Sequence, residues 1–260
     1  MSLIIAAAQS ASAPGDISRN VSHHLRFGAI AAERGVQLLV FPELSLTGYE
    51  LTLARSNAVR PDSPDLNPLR RLATQAQMTV VAGAPLLNDN DELHIAALAL
   101  RPDGSVSTYT KVHVHQSELG VFTPGPGGSA LLVEDATVAL AICADASHPQ
   151  HAASAAARGA NVYATGVMID EIGYARKVPL LRNYALEHRM AVLMANYSGV
   201  TGGEVSAGKS ALWSEDGQLV AASTGTEEAL VVGMKQNGVW NGVVLPLSGP
   251  SATGSQVSSW

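Results

Sequence analysis

Leu3-Ile-Ile-Ala-Ala-Ala8, the span from Ile17 to Arg34, and Val36-Gln-Leu-Leu-Val-Phe41 decide how the chain folds. The outer two are short apolar runs without polar alternation, the pattern of strands covered on both faces. The span between them has helical length and stops at Gly35, because glycine enters left-handed backbone without a Cβ clash. Strand, helix, strand in that order predicts a sheet with at least one helical face. Pro42 has no N–H for a ladder, so it ends the second strand and leaves Glu43 at that strand's carboxyl end.

The alternation repeats downstream. A helix is expected from about Leu66 to Gln77 and a strand over Thr79–Ala84. A hairpin around Asp103-Gly104 then joins Ile95–Arg101 to Ser105–Val112, with Lys111 on the outgoing strand. Leu131–Val133 and Thr137–Ile142 form the next strand pair, and Cys143 opens a turn that runs through Pro149 into an alanine-rich helix ending near Gly159. A strand over Asn161–Thr165, a helix over Tyr174–Arg189 and a strand over Ala191–Asn196 follow. Ala211–Trp213 and Gln218–Ala222 flank a second Asp-Gly turn, Asp216-Gly217. The expected class is α/β, with one domain over residues 1–247 and a tail, 248–260, rich in Ser and Gly that is mobile or orders against a partner subunit.

Composition agrees with one large core: 47% of the 260 residues are hydrophobic. A charged fraction of 15% and a net charge of -6 give no electrostatic reason to expect nucleic acid or an anionic membrane, which favours a small-molecule substrate. A single cysteine forbids an intramolecular disulfide and points to the cytoplasm. The first basic residue is Arg19, so the charged start of a secretory signal is missing, and no apolar run approaches the roughly 20 residues of a membrane span.

Taken alone, Cys143 reads as a small buried hydrophobe at the end of Val138-Ala-Leu-Ala-Ile142. The residues after it, Ala144-Asp-Ala-Ser-His-Pro149, are small and polar and suit a sharp strand-to-helix turn. Such a turn exposes the thiol and aims backbone N–H groups at an oxyanion. A thiol with an ordinary pKa of about 8.5 needs a base or a cation to react at neutral pH. Glu43 and Lys111 offer one of each, both at strand ends, where open α/β sheets gather their chemistry.

Other patterns carry less. Gly203-Glu-Val-Ser-Ala-Gly-Lys-Ser210 matches a phosphate loop letter by letter, but a strand rather than a helix is expected after it. His113 and His115 share one face of an expected strand, and His148 and His151 flank a turn, but neither pair has a third ligand; no metal and no organic cofactor is expected. A papain-like pairing of Cys143 with His148 conflicts with the strand–helix alternation.

Four segments in order resemble the nitrilase, or carbon–nitrogen hydrolase, superfamily. Leu39-Val-Phe-Pro-Glu-Leu-Ser-Leu-Thr-Gly-Tyr49 is similar to its base motif. Tyr109-Thr-Lys-Val-His113, with Glu118 and Phe122-Thr-Pro-Gly125, is similar to its lysine motif. Val138-Ala-Leu-Ala-Ile-Cys-Ala-Asp145 resembles the cysteine motif, and Leu180-Leu-Arg-Asn-Tyr-Ala-Leu-Glu187, followed by Ala195-Asn196 and Gly199, resembles the late helix and strand. The resemblance implies a four-layer α-β-β-α sandwich, a homodimer or higher homo-oligomer, and an amidase-type hydrolase. Its catalytic residues would be Glu43 as general acid/base, Lys111 and the Ala144 N–H as oxyanion donors, Cys143 as nucleophile, and Glu118 as a second, orienting glutamate. Ser210 would lie near the site. Nitrile or carbamoyl substrates on the same residues, or an inactive binding protein, are the alternatives.

Two positions depart from the family pattern: His148-Pro149-Gln150 replaces the frequent Phe-Pro-Glu, and His188 replaces a frequent asparagine. Tyr49, Met168 and Arg176 are the expected pocket residues, and their mixture favours a modest, largely uncharged acyl group. Arg176 is the one cation expected there for a substrate carboxylate.

Overall fold

Successive side chains of β1 (Ser2–Gln9) point to opposite faces, and both faces are buried. Ile5 and Ala7 face a second sheet, whereas Ala6 and Ala8 face helices. The computed structural model describes residues 2–247, and the expectation for the tail lies outside the described residues.

The first half of the chain continues with α1 (Ile17–Glu33), β2 (Leu38–Val40), α2 (Asn67–Ala76), β3 (Thr79–Leu87), β4 (Leu93–Leu100) and β5 (Val106–Thr110). The second half supplies β6 (Leu131–Val133), β7 (Ala136–Ile142), α3 (Pro149–Ala157), β8 (Val162–Gly166), α4 (Glu171–His188) and β9 (Ala191–Ala195). A small hairpin, β10 (Val200–Thr201) with β11 (Glu204–Val205), precedes β12 (Ala211–Trp213), β13 (Leu219–Ala222), β14 (Ala229–Gln236) and β15 (Val239–Pro246).

One sheet runs β15-β14-β1-β2-β3-β4-β5 and the other β13-β12-β9-β8-β7-β6. Each has a parallel centre, β1-β2-β3 or β7-β8-β9, flanked by antiparallel strands. Ile5, Val40 and Val81 meet Leu140, Ala164 and Leu193 between the sheets. Phe27 of α1 and Leu69 of α2 cover Leu39 and Val80 outside the first sheet. Ala155 of α3 and Leu181 of α4 cover Tyr163 and Val192 outside the second. The result is a four-layer α-β-β-α sandwich. Each fully buried Leu or Ile in these layers stabilises it by roughly 1.5–3 kcal/mol. Among the described residues no helix is long and apolar enough to cross a membrane.

Several elements differ from the sequence reading. The sequence predicts no strand over residues 223–247, yet they hold β14 and β15, and β14 lies antiparallel to β1 and completes the first sheet. The turn between them is Asn237-Gly238, with φ of 50° and 80°, the left-handed pair that a tight hairpin turn requires. Helix α4 begins at Glu171 rather than Tyr174, because the Asp170 carboxylate accepts the Gly173 N–H at 2.7 Å and caps the extra turn. Strand β5 ends at Thr110, so Lys111, His113 and His115 lie beyond the strand rather than on it. The Lys111 N–H still donates to the Ile95 carbonyl at 2.8 Å, but Gly125 then takes the Lys111 carbonyl at 2.7 Å and draws the chain out of the sheet.

Candidate active site

The chain leaves β2 through Phe41-Pro42-Glu43 and passes between the two sheets, where two glycines make room for it. A Cβ on Gly83 of β3 would stand 2.3 Å from the Leu44 nitrogen, and one on Gly166 of β8 would stand 2.5 Å from the Phe41 carbonyl oxygen. Neither obstacle can rotate away, since both are backbone. Tyr197 donates its hydroxyl to the Glu43 carbonyl at 2.7 Å and fixes the loop from the β9 side. Glu43 is thereby held at the carboxyl end of the strands, with its side chain fully buried.

Lys111, just beyond β5, reaches the same point. Its ammonium donates to Glu43 Oε1 at 2.5 Å and to both oxygens of Glu118, at 2.7 and 2.8 Å. Glu118 also accepts the Tyr49 hydroxyl at 2.7 Å and the His115 N–H at 2.7 Å. The lysine is thus shared by two buried carboxylates. Burial works against its charge, but Glu43, Cys143 and Glu118 outweigh that effect and raise its pKa. Glu43 moves the other way from an ordinary carboxylate: burial raises it, Lys111 pulls it back, and Glu118 raises it again, to about 7. Glu43 Oε2 is buried with no hydrogen bond of ordinary geometry, yet the Cys143 thiol is close enough to act on the carboxyl.

Cys143 follows β7 directly and has φ 41°, a left-handed conformation that costs a residue with a Cβ on the order of 1–2 kcal/mol. Asp145 holds that strained elbow. Its buried carboxylate accepts the Ile142 N–H at 3.0 Å and the Tyr109 hydroxyl at 2.7 Å on one oxygen, and the Val112 and His113 N–H groups at 3.1 and 2.8 Å on the other. A single side chain therefore ties the Cys143 turn to the segment that carries Lys111. Burial and the Glu43 charge push the thiol up to about 11, while Lys177 and Lys111 pull it down. The resting thiol keeps its proton at neutral pH.

A cavity of about 720 Å³ opens onto Cys143 and Ala144, and Tyr49, Met168 and Arg176 all lie on its wall. Arg176 is exposed, so it stands at the rim. It is not the only cation there: Lys177, next to it on α4, lines the same cavity and is 7% exposed. Ser210 is elsewhere; its hydroxyl bonds the Asn196 backbone, and it does not line this cavity. The residues after Ser210 form β12, not a helix, so the phosphate-loop lettering has no phosphate-loop geometry.

Residues 4–239 match the family described as carbon-nitrogen hydrolase. The chain belongs to this family. It is 29% identical to a nitrilase from Pyrococcus abyssi (strain GE5 / Orsay), over 78% of this chain and 78% of that one. An (R)-stereoselective amidase from Pseudomonas sp is also 29% identical, over 74% of this chain and 69% of that one. An amidase from Nesterenkonia sp. AN1, solved with acrylamide added to its active-site cysteine, superposes with a TM-score of 0.81 at 27% identity, covering 88% of this chain and 92% of that one. A cysteine-to-alanine variant of that amidase, in complex with butyramide, gives a TM-score of 0.81 at 27% identity, with 88% and 89% covered.

Within the carbon–nitrogen hydrolase family, this chain's two departures fall at identifiable places. His148 precedes α3 on the surface and donates its Nδ1–H to the Ala144 carbonyl at 2.9 Å, with its ring stacked on His113 at 3.7 Å. The two histidines read as separate pairs in the sequence thus face one another. His188 stacks on Tyr184 at the end of α4, with ring centroids 6.4 Å apart, a packing role away from the cavity. Sequence reasoning missed Lys177, Gly83 and Gly166. A lysine on an amphipathic helix and a glycine inside a strand are ordinary in isolation, although a strand glycine does signal a close backbone approach.

Proposed function

We propose that this carbon–nitrogen hydrolase cleaves the C–N bond of small amides through a thioester on Cys143. One observation carries the reading: Glu43 is a buried carboxylate that interacts with the Cys143 thiol while its Oε1 is bound to Lys111, and its Oε2 has no other hydrogen-bond partner. In this scheme the Cys143 proton passes to Glu43, and the thiolate adds to the amide carbon. The Lys111 ammonium and the Ala144 N–H stabilise the oxyanion. Glu43 returns the proton to the departing amine. It then deprotonates a water that opens the thioester and releases the carboxylic acid. Glu118 orients Lys111 and Tyr49.

Tyr49, Val114, Met168, Ile169 and Leu180 give the cavity a largely apolar wall, which suits an uncharged acyl group. Ammonia release from acetamide, propionamide and butyramide, compared between the wild type and Cys143→Ala, tests the proposal. We expect turnover that the variant loses by at least about a thousandfold. Equal release from both would refute it. The resemblance also supports a homodimer, for which light scattering should give twice the chain mass at micromolar concentration.

A further inference from the structure

Lys177 of α4 is buried, and the ion pairs that lysines make among the described residues belong to Lys111, Lys209 and Lys235. An ammonium has three protons to place. Those of Lys177 have three acceptors, all on the nucleophile's turn: the Cys143 carbonyl at 2.7 Å, Ser147 Oγ at 3.0 Å and Cys143 Sγ at 4.0 Å. No proton is left over for a substrate carboxylate, so a subsite for anionic substrates is not the natural use of this cation. A buried charge without a counter-ion is costly unless an anion forms beside it.

Charge balance shows which anion that is. Lys111 is held between Glu43 and Glu118, and Asp145, the third buried carboxylate, is taken up by backbone N–H groups and the Tyr109 hydroxyl. Moving the thiol proton to Glu43 leaves the total charge unchanged and shifts one negative charge onto Sγ, toward Lys177. Lys111 also favours the thiolate, but it divides its protons between Glu43 and Glu118, whereas Lys177 meets the sulfur with no carboxylate of its own among the described residues. We propose that Lys177 is a positioning residue for the nucleophile: it pins the left-handed Cys143 by its carbonyl and supplies the counter-charge of the thiolate. The groups that face the thiol are Glu43 from the loop after β2, Lys111 beyond β5, Lys177 from α4 and the Met168 carbonyl after β8, at 3.5 Å. His148, on the same turn, lines the cavity mouth.

The proposal rests on Cys143 being the nucleophile, but its test reads thiol reactivity rather than turnover. Because Cys143 is the only cysteine, the rate of its modification by methyl methanethiosulfonate at fixed pH between 7 and 9, followed by mass spectrometry, reports this thiol alone. Lys177→Gln keeps a donor toward the Cys143 carbonyl and removes the charge. Its modification rate at each pH should fall by about tenfold or more, since one unit of thiol pKa is a tenfold change in thiolate. Lys177→Met should fall as far, and Lys177→Arg should stay near the wild type. If Lys177→Met does not fold, the Gln and Arg variants, checked by circular dichroism, still decide. A folded Lys177→Gln with the wild-type modification rate would overturn the proposal, as would an Arg variant slowed as far as Gln. Either result leaves the amidase reading intact, and failure of the amide panel leaves the thiol rates interpretable.

Discussion

Burial raises Glu43 to about 7 against the pull of Lys111, so its protonation changes across neutral pH while the Cys143 thiol is still protonated. Only ionised Glu43 can take the thiol proton. The proposed kcat/KM should therefore climb roughly tenfold per unit as pH rises toward about 7 and level off above it, which a pH–rate profile on butyramide would show. The same shift has a stability consequence. Between the unfolded value of 4.5 and about 7 the folded chain binds more protons than the unfolded chain, so this group's contribution to stability falls as pH rises through that window. Glu43→Gln removes the titration. Relative to the wild type it should gain thermal stability at pH 8 compared with pH 4, while losing amide turnover. A relative melting temperature that does not change between those pH values would refute the linkage. Legibility at this scale was uneven. Glu43, Lys111, Glu118 and Cys143 stand in motifs with distinctive neighbours, and the fold brings them together. Lys177 could not be read because its meaning lies in the three acceptors around its tip, which belong to a different segment.

Among elements, the base loop and the cysteine turn depend on contacts that only tertiary structure reveals. Gly83 and Gly166 sit in β3 and β8, on different sheets, and both press on residues 41–44. Gly83→Ala would force a methyl to within 2.3 Å of the Leu44 nitrogen, so the loop rather than the strand must move. We expect a loss of about 1–3 kcal/mol in urea denaturation and a fall in turnover larger than the stability loss explains, because Glu43 moves with the loop. Asp145 offers the complementary case. Its carboxylate accepts four hydrogen bonds and donates none. Asp145→Asn presents an amide N–H where an acceptor is needed. It should cost roughly 2–4 kcal/mol in the same assay, with Asp145→Ala at least as damaging. The sequence placed Asp145 in the right motif but not its partners, since Tyr109, Val112 and His113 come from the distant segment that carries Lys111.

At the scale of the whole molecule, strand and helix alternation was readable because double burial leaves continuous apolar runs such as Leu3–Ala8 and Val138–Ile142, which reappear as β1 and β7. The end of the domain was harder. Strand β14 is apolar enough, but β15 is half exposed, with Val239 61% and Val243 45% accessible, and its run is broken by Asn241-Gly242. The local signal that could have found the pair is Asn237-Gly238 between two apolar segments. What β14 does for the fold makes the omission matter. It pairs with β1 along the full length of that strand, from Ser2 with Gln236 to Gln9 with Ala229, and it buries Leu230 and Val231. A chain stopped after Glu228 would uncover the β1 edge together with apolar faces on both sides of the sheet. An edge of that kind templates aggregation rather than a smaller stable sandwich. We therefore expect the truncated chain to be insoluble. A soluble, cooperatively unfolding protein ending at Glu228 would show that β1 to β13 suffice, and would remove β14 from the determinants of this fold.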